Sequence, residues 1–131
     1  MEAQNKKIIE SYFQALAQGD IPKVFSLLSS DTVWNQPGKN RFSGSYVGID
    51  NIGKLLGSMM EDTAGSLKVV QNGDLMVNKN LVIATVEFSA QKGSKNIKMS
   101  GVDLFTIQKG KIKEINLFSG NQKEEDVFWG N

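Results

Sequence analysis

Chemistry in this 131-residue chain has to be done by carboxyls, hydroxyls, amides and amines, because it contains neither cysteine nor histidine. Thiolate nucleophiles, thiolate metal sites, the usual imidazole base and a Ser-His-Asp arrangement are all excluded. A metal would need carboxylates alone, and no Asp/Glu cluster has calcium-loop spacing, so no metal or other cofactor is expected. One carboxylate stands out by position. Every second residue from 97 to 107 reads Ile97, Met99, Gly101, Asp103, Phe105, Ile107, and in a strand these share one face. A carboxyl among Met, Phe and Ile must find partners or keep its proton. Either outcome makes Asp103 a candidate functional group. A bulge that reverses the register, or quiet pairing with the backbone, would make it structural instead. Glu87 alternates away from Val82, Ala84, Val86 and Phe88, and Glu114 lies near Lys111 and Lys113. Both read as solvated.

The elements that must position Asp103 follow from periodicity. Residues 4–18 carry Ile8, Ile9, Tyr12, Phe13 and Leu16 on one helical stripe. Gly19 supplies the stop, Asp20 a cap and Pro22 the start of a second helix over 21–29. Thr32 to Gln36 is a short strand ended by Pro37-Gly38, and 39–48 reads as a loop. A third helix starts with Asp50 as its cap and turns Ile52, Leu55, Leu56, Met59 and Met60 inward, although Gly53 and Gly57 weaken it. Strands are expected near 66–77, 81–91, 95–108 and 111–119, joined by turns at Asn78-Lys79-Asn80, Lys92-Gly93-Ser94 and Lys109-Gly110. The tail, with Glu124-Glu125-Asp126-Val127-Phe128-Trp129, is a short helix or an extended flap. Three N-terminal helices ahead of a strand meander predict an α+β fold in one domain over 1–131, with the helices packed on one face of a strongly curved, mostly antiparallel sheet. Such a sheet leaves a cavity suited to a small molecule.

Composition narrows the partners. Fifteen Lys and Arg balance 14 Asp and Glu for a net charge of +1. Nothing in that balance favours nucleic acid. No apolar run has membrane-spanning length, and the polar start Met1 to Lys7 is not signal-like, so a cytoplasmic protein without a membrane partner is expected.

Three stretches carry a resemblance to a known family. They are Glu10 to Asp20, then Thr32 to Gly38 with Phe42-Ser43-Gly44 and Gly48, then Gly101 to Phe105 with Gly110-Lys111-Ile112 and Leu117-Phe118. In order and spacing they resemble the ketosteroid-isomerase/SnoaL-like family of the NTF2-like superfamily, whose cone encloses an internal pocket. The resemblance implies that Tyr12 holds the family's hydrogen-bonding tyrosine position and Asp103 that of its protonated aspartic acid. Together these would form an oxyanion hole. Asn35 matches the aspartate that moves the proton, and an amide has no useful basicity. Ordinary ketosteroid isomerisation is therefore not expected. Asn35 could instead hydrogen-bond a ligand.

Three functions stay open on this reading. The first is an isomerase- or cyclase-type enzyme acting on a small, apolar, carbonyl-bearing molecule, with Tyr12 and Asp103 as catalytic groups. The second is a non-catalytic binding module in which Tyr12, Asn35 and Asp103 orient a hydrophobic metabolite, and Phe13, Met59, Phe105 and Phe118 complete the site. The third is a structural or dimerisation domain with a vestigial pocket. The resemblance also implies a homodimer paired through its sheet, and Val102 and Leu104 give the face opposite Asp103 apolar surface.

Overall fold

The computed structural model describes residues 1–131 as four helices and seven strands: α1 (Glu2–Gln18), α2 (Ile21–Ser26), β1 (Leu28–Gln36), β2 (Gly44–Val47), α3 (Ile49–Asp62), β3 (Lys68–Gln71), β4 (Met76–Asn78), β5 (Leu81–Lys92), β6 (Lys95–Gln108), β7 (Lys111–Ser119) and α4 (Gln122–Trp129). The strands form one sheet in the order β2-β1-β7-β6-β5-β3, with β4 also on β5. All pairs are antiparallel except β1 with β7, which run parallel. This is the expected α+β arrangement, with one helix more than the three anticipated.

Local chemistry sets most boundaries. Gly19 adopts the left-handed conformation that ends α1, its N–H reaching the carbonyls of Ala15 and Leu16. The Asp20 side chain accepts from the Lys23 N–H and caps α2 ahead of Pro22. That helix stops at Ser26, three residues short of the expected 29, because Leu28 is already buried in β1. The stretch read as a loop over 39–48 contains β2, which pairs along β1 from Gln36 to Val33. At α3 the cap is Gly48, and Asp50 lies in the first turn, where its charge still favours the helix N-terminus. Gly53 sits under the Phe25 ring: a methyl group there would come within 3.2 Å of its tip. That glycine lets α2 and α3 approach, whereas Gly57 touches nothing. The expected strand 66–77 is two short pieces, β3 and β4, both bound to β5. The tail resolves as helix: Asn121 caps α4 by accepting from the Glu124 N–H.

The sheet's inner face is built in rows across the strands. Trp34, Ile115, Phe105 and Val82 are successive partners on β1, β7, β6 and β5, and all four are buried. The next row places Leu117, Asp103 and Ala84 side by side, and the one after that Ser119, Gly101 and Val86. The register shift between β6 and β7 falls at Thr106/Ile107, beyond Asp103, so alternation survives where it matters. α1 crosses β3, β4 and β5, α3 lies on β1 and β2, and α4 lies on β6 and β7. Ile9, Phe13, Ile52, Leu55, Phe128 and Trp129 carry these helices into one core. No helix is long and apolar enough to cross a membrane.

Candidate functional site

Between the helices and the curved sheet lies a cavity of about 880 Å³, lined mainly by apolar side chains, which is the size of a small-molecule site. Tyr12, Phe13 and Met59 enter it from α1 and α3, and Asp103 from β6. These four, anticipated from the sequence, line one cavity.

Tyr12 and Asp103 are 3% and 7% exposed. Burial pushes the Asp103 carboxyl up to about 7, with no hydrogen bond opposing the shift. Burial also raises the Tyr12 hydroxyl far above its ordinary range, and the neighbouring Asp103 charge adds to that. Neither group hydrogen-bonds within the protein, and the tyrosine is not tied to the aspartate. Yet the only side-chain oxygen in the molecule that is both sealed from solvent and without a hydrogen bond is Asp62 Oδ2, which is ion-paired with the Lys92 ammonium at 3.0 Å. The oxygens of Tyr12 and Asp103 therefore open on the cavity. Buried polar groups left without protein partners cost stability, unless something in the cavity meets them.

Three anticipated positions are corrected. Asn35 points out of the cavity. Its Nδ2 donates to Asn116 Oδ1 at 2.7 Å and Glu114 Oε2 at 3.2 Å, and its Oδ1 accepts from Ser45 Oγ at 2.6 Å. The reason is the two-residue period of β1: Thr32, Trp34 and Gln36 are buried, so the residues between them face away. The large Trp34 ring gains more from burial than the amide does, and it lines the cavity. The same interaction makes Glu114 half-buried rather than solvated. Phe105 lies behind the wall, fully buried, its ring edge-on to Tyr12 at 5.1 Å and Phe13 at 5.8 Å. It holds Tyr12 in place without reaching the cavity. Phe118 partners Val102 on the outer face and is 55% exposed, meeting the cavity only at its edge.

Two cavity residues went unnoticed in the sequence. Gln36 is buried, its Oε1 accepting from the Trp34 indole N–H at 3.0 Å. Its amide nitrogen, which carries two N–H groups, makes no protein hydrogen bond. The inward amide of β1 is thus Gln36, one residue beyond the expected Asn35. Glu125 enters from α4, 6% exposed. Its Oε2 accepts from Trp129 Nε1 at 3.1 Å, and its Oε1 receives a longer contact of 3.5 Å from Gln122 Nε2. Burial raises this carboxyl. Trp129, Ser119 and Gln122 pull it back by hydrogen bonding, and the charge of Asp126 adds a smaller push upward. The sequence did carry a signal for this element: an Asn121 cap ahead of three consecutive acids marks a helix start, and helical spacing then puts Glu125 one turn before Trp129.

α4 is fastened over the cavity by polar contacts with the loop after β1. Asp126 Oδ1 accepts from the Lys39 N–H at 3.0 Å and from Asn40 Nδ2 at 2.8 Å, and the Arg41 N–H donates to the Gly130 carbonyl at 2.8 Å. No group of three or more Asp and Glu side chains converges as a metal site would require.

Known proteins share this fold. The SnoaL-like domain family matches residues 9–115. A Xanthomonas campestris protein of unknown function with a cystatin-like fold superimposes with a TM-score of 0.92 and 40% identity, over 97% of this chain and 98% of that one. An uncharacterised protein of Mycobacterium tuberculosis is 25% identical over 122 residues, 93% of each chain. A candidate SnoaL-like polyketide cyclase from Jannaschia sp. CCS1 shares the fold at a TM-score of 0.74 and 18% identity, over 91% of this chain and 87% of that one.

Proposed function

The chain belongs to the SnoaL-like domain family, and from that premise we propose that its cavity binds a small apolar molecule through a carbonyl or enol oxygen held by Tyr12 and Asp103. One observation carries this reading: two buried hydrogen-bonding groups face the same apolar cavity and have no partner in the protein. A protonated Asp103 and the Tyr12 hydroxyl are both donors. Two donors aimed at one oxygen stabilise negative charge developing there, which suits isomerase- or cyclase-type proton transfer. Phe13, Met59 and Trp34 supply apolar wall, and Gln36 a further donor. The polyketide cyclase among the structural neighbours supports a carbonyl-bearing substrate class.

β-Naphthol, a rigid apolar molecule with one acidic oxygen, is a direct probe. Fluorescence titration should show that Asp103→Ala weakens its binding by about tenfold or more, the equivalent of ~1.4 kcal/mol, while far-ultraviolet circular dichroism stays unchanged. Equal affinity in wild type and variant would sink the assignment of Asp103 to the site. A vestigial cavity in a structural domain fits less well, since unpartnered buried polar groups destabilise a fold that gains nothing from them.

We also propose a homodimer joined through the outer sheet face. Phe118 and Val47, 55% and 52% exposed, lie there with the half-buried Val33, Val102 and Leu104. Exposed apolar residues on both sides of the Asn35–Asn116–Glu114 cluster favour a protein partner. A monomer mass that stays constant with concentration in sedimentation equilibrium would exclude it.

A further inference from the structure

The proposed site holds the oxygen of a substrate but lacks, at Asn35 or Gln36, any group able to move a proton. We propose that Glu125 is that group: the base that takes a proton from the carbon next to the held carbonyl and returns it elsewhere on the substrate.

Placement comes from the strand register. Ser119, whose Oγ accepts from the N–H of Asn121, the cap of α4, at 3.3 Å, lines the same cavity as Glu125; it is the β7 partner of Gly101, and Gly101 is two residues along β6 from Asp103. Two residues of strand span roughly 7 Å. Gly101 contributes no side chain to that interval, and a Cβ there would meet the Phe118 carbonyl at 2.6 Å. Between Asp103 and the row of Ser119, β6 itself therefore presents only backbone, with the Val86 side chain beside it. An oxygen hydrogen-bonded at about 2.7 Å from Asp103 and a carbon about 3 Å from Glu125 would fit across such an interval, since that carbon lies only two bonds from the oxygen.

Burial pushes both carboxyls up, but only Glu125 has hydrogen bonds that pull it back. The Trp129 indole and the Gln122 amide donate to Glu125, and donors to a carboxylate favour its charged form. Asp103 receives no donor, so burial favours its neutral form. Asp126, the next residue on α4, opposes the ionisation of Glu125, and no Lys or Arg contributes to its shift. Paired carboxyls with diverging environments are how one pocket holds an acid and a base together.

The step balances without oxidant or cofactor. The Glu125 carboxylate forms an O–H bond as the substrate C–H bond breaks. The C–H electron pair becomes a C=C bond, and the carbonyl π pair moves to the oxygen between Tyr12 and Asp103. Collapse of that enolate takes the proton back from Glu125 at the same or a conjugated carbon.

This inference rests on the proposed oxygen site, and two probes separate the two claims. β-Tetralone, the ketone with β-naphthol's bicyclic skeleton, exchanges its benzylic α-proton with heavy water, an exchange followed by proton NMR. The wild type should accelerate that exchange, and Glu125→Gln should slow the enzymatic exchange about 100-fold or more, the usual span for a general base. β-Naphthol should still bind Glu125→Gln within about threefold, a change of under 1 kcal/mol. Glu125→Asp should recover part of the rate, and the wild-type rate should fall as acid protonates Glu125. Exchange as fast in Glu125→Gln as in wild type, or no exchange above buffer by a wild type that binds β-naphthol, would overturn the role of Glu125 alone. A wild type that does not bind β-naphthol would overturn the oxygen site and this inference with it.

Discussion

The cavity contains the same functional group twice, under different conditions. Asp103 is a carboxyl surrounded by hydrocarbon, with Phe105 and Ile107 buried on its own strand and Ala84 beside it. Glu125 is equally hidden from bulk solvent but accepts from an indole N–H and an amide. Burial by itself therefore does not decide what a carboxyl does. The donors aimed at it set how far burial is offset. The surroundings of Glu125 are also part of the core framework, since the Trp129 ring packs on Phe42 at 5.0 Å and Phe128 at 5.1 Å. The Tyr12 and Asp103 oxygens contribute nothing of that kind.

The sharpest way to break this contrast is to remove its structural half. Trp129→Ala should cost about 3–5 kcal/mol, the range for deleting a large buried aromatic side chain, measured by urea denaturation. A loss below ~1 kcal/mol would mean that α4 packs loosely over the cavity. At Asp103 the sign reverses. The folded chain holds the Asp103 proton up to about pH 7, while the unfolded chain releases it near 3.8. The stability this group contributes is complete below the lower value and is lost as pH rises through the upper one. Asp103→Asn removes that loss, so above neutral pH the variant should be more stable than wild type by about 1–3 kcal/mol. Denaturation midpoints compared from acid to alkaline pH would show it; parallel curves would mean that Asp103 is not buried as a lone carboxyl.

A finer test addresses the donors directly. Trp129→Phe keeps most of the ring volume and removes the indole N–H, so the Glu125 pKa should move further up. Carbon NMR titration of the side-chain carboxyl would detect that, and an unmoved value would mean that the indole does not set its charge. The smallest effect is expected at Tyr12. Tyr12→Phe deletes a hydroxyl with no protein partner, so stability should stay within ~0.5 kcal/mol of wild type or rise slightly. A loss above ~1 kcal/mol would reveal a hydrogen bond to that hydroxyl.

How much of this was legible in the sequence depended on which physical signal each residue offered. The face of Asp103 followed from alternation along a long strand, where six successive inward positions agree. The stripe of α1 placed Tyr12 and Phe13 by the same logic. Asn35 failed because β1 is short in polar and apolar contrast: resemblance suggested Asn35 inward, while the burial preference of Trp34 carried the strand one residue the other way. Phe105 and Phe118 show a second limit. Periodicity separates inner from outer faces but not cavity wall from the layer behind it, nor a rim from an interior. Glu125 was missed because six residues of tail give too little period to fix a helix. Its capping signal was local, but its partner cavity depends on contacts some 86 residues away, between Asp126 and Asn40.

The parallel pairing of β1 with β7 also has a consequence in time. The Thr32 hydroxyl donates to the Ile112 carbonyl across a separation of 80 residues, so the first strand synthesised is closed by the last. Nothing on the inner face between Trp34 and Ile115 can form until nearly the whole chain is available. Such long-range closure is slow in folding because the chain must first lose the entropy of a large loop. The cavity is therefore a late product of folding, and weakening the Thr32–Ile112 bond would delay its assembly as well as lower the stability of the finished sheet.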